Sequence, residues 1–163
     1  MSRLRSGGFQ AYLVGGAVRD LLLGGRPKDF DIATDATPEA VTALFRNSRI
    51  IGRRFRIVHV RFGREIIEVT TFRGHHDTKL NESQQDEKGG NHSRQSASGL
   101  LLRDNVYGTL EEDAARRDLS VNALYYDSGK FEVFDHLHGL EDLENRTICI
   151  IGIPEQRYTE DPV

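Results

Sequence analysis

The chain has 163 residues, a formal net charge of −3 and a pI near 6.1, which suits one domain with a real core and is too short for two comfortable ones. Its mild acidity gives no global sign of nucleic-acid binding, so any such contact has to come from local clustering of charge. No apolar run approaches membrane-spanning length and the first ten residues lack the apolar stretch of a signal peptide, which makes the cytoplasm the expected compartment and a membrane partner unexpected.

Residues 1–8 carry Arg3 and Arg5 with little apolar content; a loose segment, or the stump of a helix, is expected there. Tyr12, Leu13 and Val14 predict a short buried strand, and Gly15-Gly16 opens directly onto a helical pattern from Ala17 to Leu23. A strand that turns into a helix through glycines lets backbone N–H groups approach an anion closely, with favourable partial charge from the helix N-terminus. Gly24 stands where a left-handed C-cap residue belongs, and Pro27 prevents continuation. The next strand is expected to begin at about Asp29. Alternation then puts Asp29 and Asp31 on one face, with Phe30 pointing the other way into a core. Two acids on one face repel unless water or a divalent cation compensates them, and oxygen-only ligands suit Mg²⁺ with substrate phosphates completing the shell. An isolated Asp-x-Asp more often marks solvated surface acids; its position shortly after a Gly-Gly helix start reverses that and favours the metal.

Thr37 caps a predicted helix whose first position is Pro38, with Ala40, Val41, Leu44 and Phe45 as its buried stripe. From Arg46 to Arg64 there are seven arginines and no acid. This local basic patch predicts that Arg53, Arg54 and Arg56 meet phosphate, the alternative being a solvated rim on a hairpin. The hairpin runs through Val58, Val60 and Phe62, turns at Gly63-Arg64, and returns through Ile66 to Phe72. Glu68 shares a face with Ile66 and Thr70, and is either a third carboxylate near the metals or the partner of a nearby arginine. His75-His76 lacks a second ligand pair at helical spacing and is assigned to a loop. Residues 74–98 are nearly devoid of aliphatic side chains and predict a mobile loop. Thr109 and Glu112 form a capping box for a helix expected to run through Asp118; Asn122, at i+4 from Asp118, shares its face if the helix continues. The same spacing relates Asp113 to Arg117, whose alternative is an ordinary helical ion pair. Phe131 to Phe134 predicts a strand, Leu140 to Leu143 a helical turn, and Thr147 to Ile151 a buried strand in which Cys149 is a small hydrophobe.

Together, the Gly-Gly helix start and the following acidic pair resemble the nucleotidyltransferase superfamily typified by a repair DNA polymerase. More narrowly, GGAVRDLLLG followed by KDFDIAT resembles the family uniting bacterial poly(A) polymerases with tRNA CCA-adding enzymes. GRRFRIVH at Gly52–His59 and FRGHH at Phe72–His76 are similar to the stretches that mark the poly(A) polymerases, and EEDAARRDLSVNALYYD matches the family's second motif. The resemblance implies an α/β (α+β) head domain over residues 1–163, a small mixed sheet with helices packed on one side. It also implies metal-dependent transfer of AMP from ATP to an RNA 3′-hydroxyl. Asp29, Asp31, Glu68 and Asp118 are the expected catalytic residues, with two Mg²⁺ ions on Asp29 and Asp31. Gly15, Gly16, Arg19, Arg117 and Asn122 are expected to bind the nucleotide. CCA addition is the nearest alternative, and a non-catalytic fragment binding nucleotide or RNA weakly is the alternative of another kind. Glu160-Asp161-Pro162-Val163 resembles the start of the family's next motif, so later helical RNA-binding domains are expected to lie outside this chain and the RNA grip to be weak without them.

Overall fold

The structure, a computed structural model, describes residues 1–53, 55–74, 106–155 and 157, with the paired backbone of 94–95 and 101–103. Among these the strands are β1 (Ala11–Val14), β2 (Asp31–Thr34), β3 (Ser48–Ile51), β4 (Ile57–Phe62), β5 (Glu65–Thr71), β6 (Arg94–Gln95), β7 (Leu101–Arg103), β8 (Leu124–Asp127) and β9 (Glu132–Asp135). The helices are α1 (Ser2–Ser6), α2 (Gly16–Leu22), α3 (Pro38–Leu44), α4 (Leu110–Ala115) and α5 (Gly139–Glu144). Seven strands form a mixed sheet in the order β3-β4-β5-β2-β1-β8-β9, while β6 and β7 pair with each other. Within the large sheet β2 and β5 run parallel and the other neighbours antiparallel.

Alternation divides the sheet into two faces. On one, Leu13, Ile32, Val58, Val60, Val69 and Leu124 pack against Leu4, Ala17, Val18 and Val41 from α1, α2 and α3, with Leu140 and Leu143 of α5 alongside. This is the mixed sheet that the resemblance implies, but its helices are not confined to one side: α1, α2, α3 and α5 lie here and α4 lies opposite. The other face carries a smaller cluster, Val14, Ala33, Phe72 and Tyr125 against Leu110 and Ala114 of α4. Tyr12 closes that cluster with its ring 6.2 Å from Phe72, 6.4 Å from Tyr125 and 5.5 Å from Phe134. Among the described residues a single helix therefore covers part of the second face and leaves the rest open beside Asp31 and Glu68.

Local signals are realised where they are strongest. α2 ends in a Schellman arrangement, with Gly25 N–H on the Asp20 carbonyl, Gly24 N–H on the Leu21 carbonyl, and Gly24 at φ 74°. The Thr37 hydroxyl accepts from Ala40 N–H, with Pro38 in the first turn. Thr109 and Glu112 exchange both bonds of the capping box.

Elsewhere tertiary pairing redraws the prediction. Residues 2–6 are helical rather than loose, because Leu4 is buried and Arg5 bonds the Asp127 carboxylate at 2.7 Å. Strand β2 starts at Asp31, not Asp29: its ladder with β1 ends at Val14↔Asp31, where Gly15 leaves the sheet, so Asp29 has no partner strand. Phe30 is 37% exposed and does not enter a core. Helix α4 stops at Ala115 rather than Asp118, since Leu119 bridges Ile150 and Ile151 N–H donates to the Asp118 carbonyl, and this draws the chain out of helical geometry. Only a short 3-10 turn, Ser120–Asn122, follows. Residues 147–151 form that single bridge and not a buried strand; Ile148 is 75% exposed and the Cys149 thiol, half-buried, donates to Asp142 Oδ1 at 3.4 Å. The expected mobile loop 74–98 lies outside the described residues apart from Gly74 and β6, as do His75-His76, Arg54 and residues 160–163. No helix among the described residues is long and apolar enough to cross a membrane.

Candidate active site

The turn from β1 into α2 is held by Gly15 at φ 76°, ψ −146°, a conformation open essentially to glycine alone. A Cβ built there would lie 3.7 Å from Arg117 Nη1 and 3.9 Å from Asp31 Oδ2. The bare backbone thus sits at the mouth between a carboxylate and a guanidinium. Gly15→Ala is expected to cost about 1–3 kcal/mol, read as a lower urea midpoint with an unchanged slope.

Parallel pairing sets Asp31 of β2 beside Glu68 of β5 as register partners, and antiparallel pairing sets His59 of β4 beside Glu68. Register partners on neighbouring strands share a face. Asp31 is half-buried, and burial first, then the neighbouring Glu68 charge, hold its carboxyl above the ordinary carboxylate value; Arg117 opposes this and Asp29 adds to it. Glu68 thus stands beside Asp31. Its bonding partner is His59, Nε2 to Oε1 at 3.0 Å, and not an arginine. Asp29 is exposed on the approach to β2, within electrostatic reach of Asp31.

Opposite the carboxylates stands Arg117. Its Nε donates to the Tyr125 hydroxyl at 2.9 Å, its Nη2 to Asp113 Oδ2 at 3.3 Å, and its guanidinium lies 5.2 Å from the Tyr125 ring centre. Asp113 also accepts from the Tyr125 hydroxyl at 2.6 Å and from Arg73 N–H at 2.9 Å. Burial works against the charge on Arg117, yet Tyr125 and Asp113 outweigh it and raise its pKa further. The Asp113–Arg117 pair that the sequence offered as an ordinary helical ion pair is therefore part of a largely buried network that aims the guanidinium at the cleft. Asp118 is exposed and caps itself, accepting Leu119 N–H at 2.7 Å, and Asn122 reaches it at 3.4 Å although the helix does not continue. Asn122 Oδ1 in turn accepts from Arg19 Nη1 at 2.8 Å, while Arg19 Nε and Nη2 hold Asp20. Three of its donors are engaged, so Arg19 keeps free N–H groups for an anion.

These groups line an open cleft of about 310 Å³ containing Asp31, Glu68, Arg73, Arg116, Arg117 and Asp118. The predicted residues thus fall into two neighbouring sets: Asp31, Glu68, Arg117 and Asp118 in the cleft, with Gly15 at its mouth, and Arg19 with Asn122 beside α2. Arg56, expected to meet phosphate, is bound to Glu39. The sequence paired Asp113 with Arg117 but missed Tyr125 as a second support, and it missed His59 as the partner of Glu68. The i,i+4 spacing signalled Asp113; nothing local signalled Tyr125, which arrives on β8. Among the described residues no three His, Cys, Asp or Glu side chains converge as a full coordination set. Mg²⁺ does not require one, since one or two carboxylates and substrate phosphates suffice. Oxygen-only donors crowded at an open cleft, with room that a Cβ at position 15 would fill, fit that ion.

Residues 11–149 match the family model described as the poly(A) polymerase head domain. The chain belongs to that family. It is 55% identical over 163 residues to poly(A) polymerase I of Escherichia coli O6:H1 and 52% identical over 164 aligned residues to that of Haemophilus influenzae, covering 100% of this chain and 34% of each relative. A CCA-adding enzyme of Staphylococcus aureus is 35% identical over 161 residues, 99% of this chain and 36% of that protein. The crystal structure of the Bacillus stearothermophilus CCA-adding enzyme in complex with CTP superposes with a TM-score of 0.74 at 35% identity, covering 99% of this chain and 34% of that one. The head-domain sheet described above is thus the fold of nucleotidyltransferases. The chain spans about a third of the length of the curated relatives it matches.

Proposed function

We propose that this head domain carries the transfer site of a polynucleotide adenylyltransferase, which moves AMP from ATP to an RNA 3′-hydroxyl and releases pyrophosphate. The observation that carries the reading is the juxtaposition of Asp31, Glu68 and Arg117 in one open cleft, with Gly15 at its mouth and Asp29 within electrostatic reach of Asp31. Similarity at 55% and 52% to poly(A) polymerases, against 35% to a CCA-adding enzyme, favours adenylate tailing over CCA addition.

In this reading Asp29 and Asp31 hold Mg²⁺, which when bound supplies Lewis-acid activation of the 3′-hydroxyl and charge neutralisation at the departing pyrophosphate. The chain's own residues position the rest. Gly15 and Gly16 let the triphosphate approach the backbone, and the guanidinium of Arg117, fixed by Asp113 and Tyr125, takes a phosphate oxygen where negative charge builds up. Arg19 offers its remaining N–H groups to the same phosphates. Asp118 and Asn122 border the nucleotide. The 3′-hydroxyl releases its proton to solvent in the open cleft, and its oxygen forms a bond to the α-phosphorus as the bond from that phosphorus to the bridging oxygen of pyrophosphate breaks. Preorganised donors are worth most here because they need no rearrangement as the charge moves.

The test is product sequencing. The chain, carried within a polypeptide of its relatives' length, is incubated with Mg²⁺, an RNA primer and each nucleoside triphosphate in turn. Extension by adenylate alone is expected. Ordered addition of two cytidylates and one adenylate would assign CCA addition instead, and no incorporation from any triphosphate would leave the non-catalytic alternative.

A further inference from the structure

We infer that a basic groove beside the catalytic carboxylates, formed by Arg46, Arg49 and Arg61, carries the phosphate backbone of the single-stranded RNA that ends in the cleft. This rests on the proposed function and adds to it the path of the substrate strand.

The sheet itself draws the line from one site to the other. Asp31 pairs with Glu68, Glu68 with His59, and His59 with Arg49, so these four residues lie in a row across β2, β5, β4 and β3 on the same face. Three inter-strand steps of about 4.8 Å place Arg49 roughly 14 Å from Asp31, a span that a single strand covers in a few nucleotides. Around Arg49 a groove of about 420 Å³ is lined by Arg46, Asn47, His59, Arg61 and Ile66. Ile66, 49% exposed, gives it an apolar wall against which a base or ribose can lie.

Charge sets this groove apart from the paired basic positions, and the gathering of three such side chains on one groove sets it apart from the scattered unpaired ones. Arg5, Arg19, Arg56 and Arg117 each pair with a carboxylate. Arg46, Arg49 and Arg61 pair with none among the described residues. Along the row the next acid is Glu68, which is bonded to His59. Three uncompensated guanidinium groups on one rim, reached from an acidic site along a continuous face, suit a polyanion that must deliver its end to that site. The competing explanation is that basic side chains on the edge strand β3 only discourage edge-to-edge pairing.

Both readings are separated by RNA binding to the chain as a function of salt. For a short fluorescent oligoadenylate, the Arg46→Ala/Arg49→Ala/Arg61→Ala variant is expected to bind more weakly. The slope of log K against log salt should shrink by about 2, from three contacts at about 0.7 each. A control removing three exposed charges elsewhere, Arg26→Ala/Lys130→Ala/Arg146→Ala, should keep most of the slope. The second measurement uses the unaltered chain: an oligomer with 4-thiouridine upstream of its 3′ end should crosslink to residues 46–49 and 59–61. Equal slopes for the groove variant and the parent, or crosslinks confined to other surfaces, would overturn the groove while leaving the transfer site standing. A parent that retains Mg²⁺·ATP binding but shows no affinity for the oligomer would overturn it as well.

Discussion

Asp31→Asn is expected to lower AMP transfer on the order of 10³-fold or more and at the same time to make the ligand-free protein more stable at neutral pH. The two effects have one origin. Asp31 is held half-buried beside Glu68 and near Asp29, and its folded-state pKa is raised above the ordinary value of 3.8. The folded chain therefore keeps the proton to a higher pH than the unfolded chain does. Stability falls as pH rises through the window from 3.8 to the raised value, and stays lower above it. Asparagine has no charge to confine, so the variant gains over the parent above that window, and the gain disappears below it, where both side chains are neutral. Urea unfolding on either side of the window measures this. Asp29→Asn should share the loss of transfer with little change in stability, because Asp29 is exposed. An Asp31→Asn variant that unfolds more readily than the parent at neutral pH would mean that the carboxylate is a structural anchor.

Asp113→Ala is expected to be among the most destabilising single changes available, at about 3–5 kcal/mol. Removing this carboxylate, 7% exposed, withdraws the acceptor from Arg73 N–H, the Tyr125 hydroxyl and Arg117 together. The charge on Arg117 is then left largely buried without its hydrogen-bonded carboxylate, keeping the Tyr125 hydroxyl and ring and the more distant Asp31. For a chain of this length each kcal/mol lowers the melting temperature by roughly 2–4 °C, so the expected fall is roughly 10 °C. Tyr125→Phe, which keeps the ring under Arg117 and removes one hydroxyl, should cost about 1 kcal/mol. Both variants should bind ATP more weakly, since Arg117 loses its aim. A melting temperature unchanged in Asp113→Ala would show the network to be incidental.

Features written by neighbouring residues were legible in the sequence. The Gly15-Gly16 start of α2, the Gly24 ending, the Thr37 and Thr109 caps and the Gly63-Arg64 hairpin depend on a few adjacent side chains and backbone angles. Features written by distant pairing were not. The end of α4 is decided by the bridge between Leu119 and Ile150, and the start of β2 by the departure of Gly15 from the neighbouring strand. Strand β8 escaped notice because LYYD follows a helical pattern with no turn signal, so Tyr125 could not be connected with Asp113 and Arg117. In the site the same division holds. The acids and glycines of the family motif were readable by position, whereas His59 beside Glu68 follows only from the register of β4 against β5.

Heat unfolding of the chain with and without Mg²⁺ and ATP tests the metal–nucleotide site most directly. A ligand that binds only the folded state at 100 times its dissociation constant adds about 2.7 kcal/mol. The parent should therefore melt higher with the pair than with either component alone, and the Asp29→Asn/Asp31→Asn variant should melt at the same temperature with and without it. An equal rise in the double variant, or none in the parent at saturating Mg²⁺ and ATP, would contradict the assignment of these carboxylates to a metal–nucleotide site.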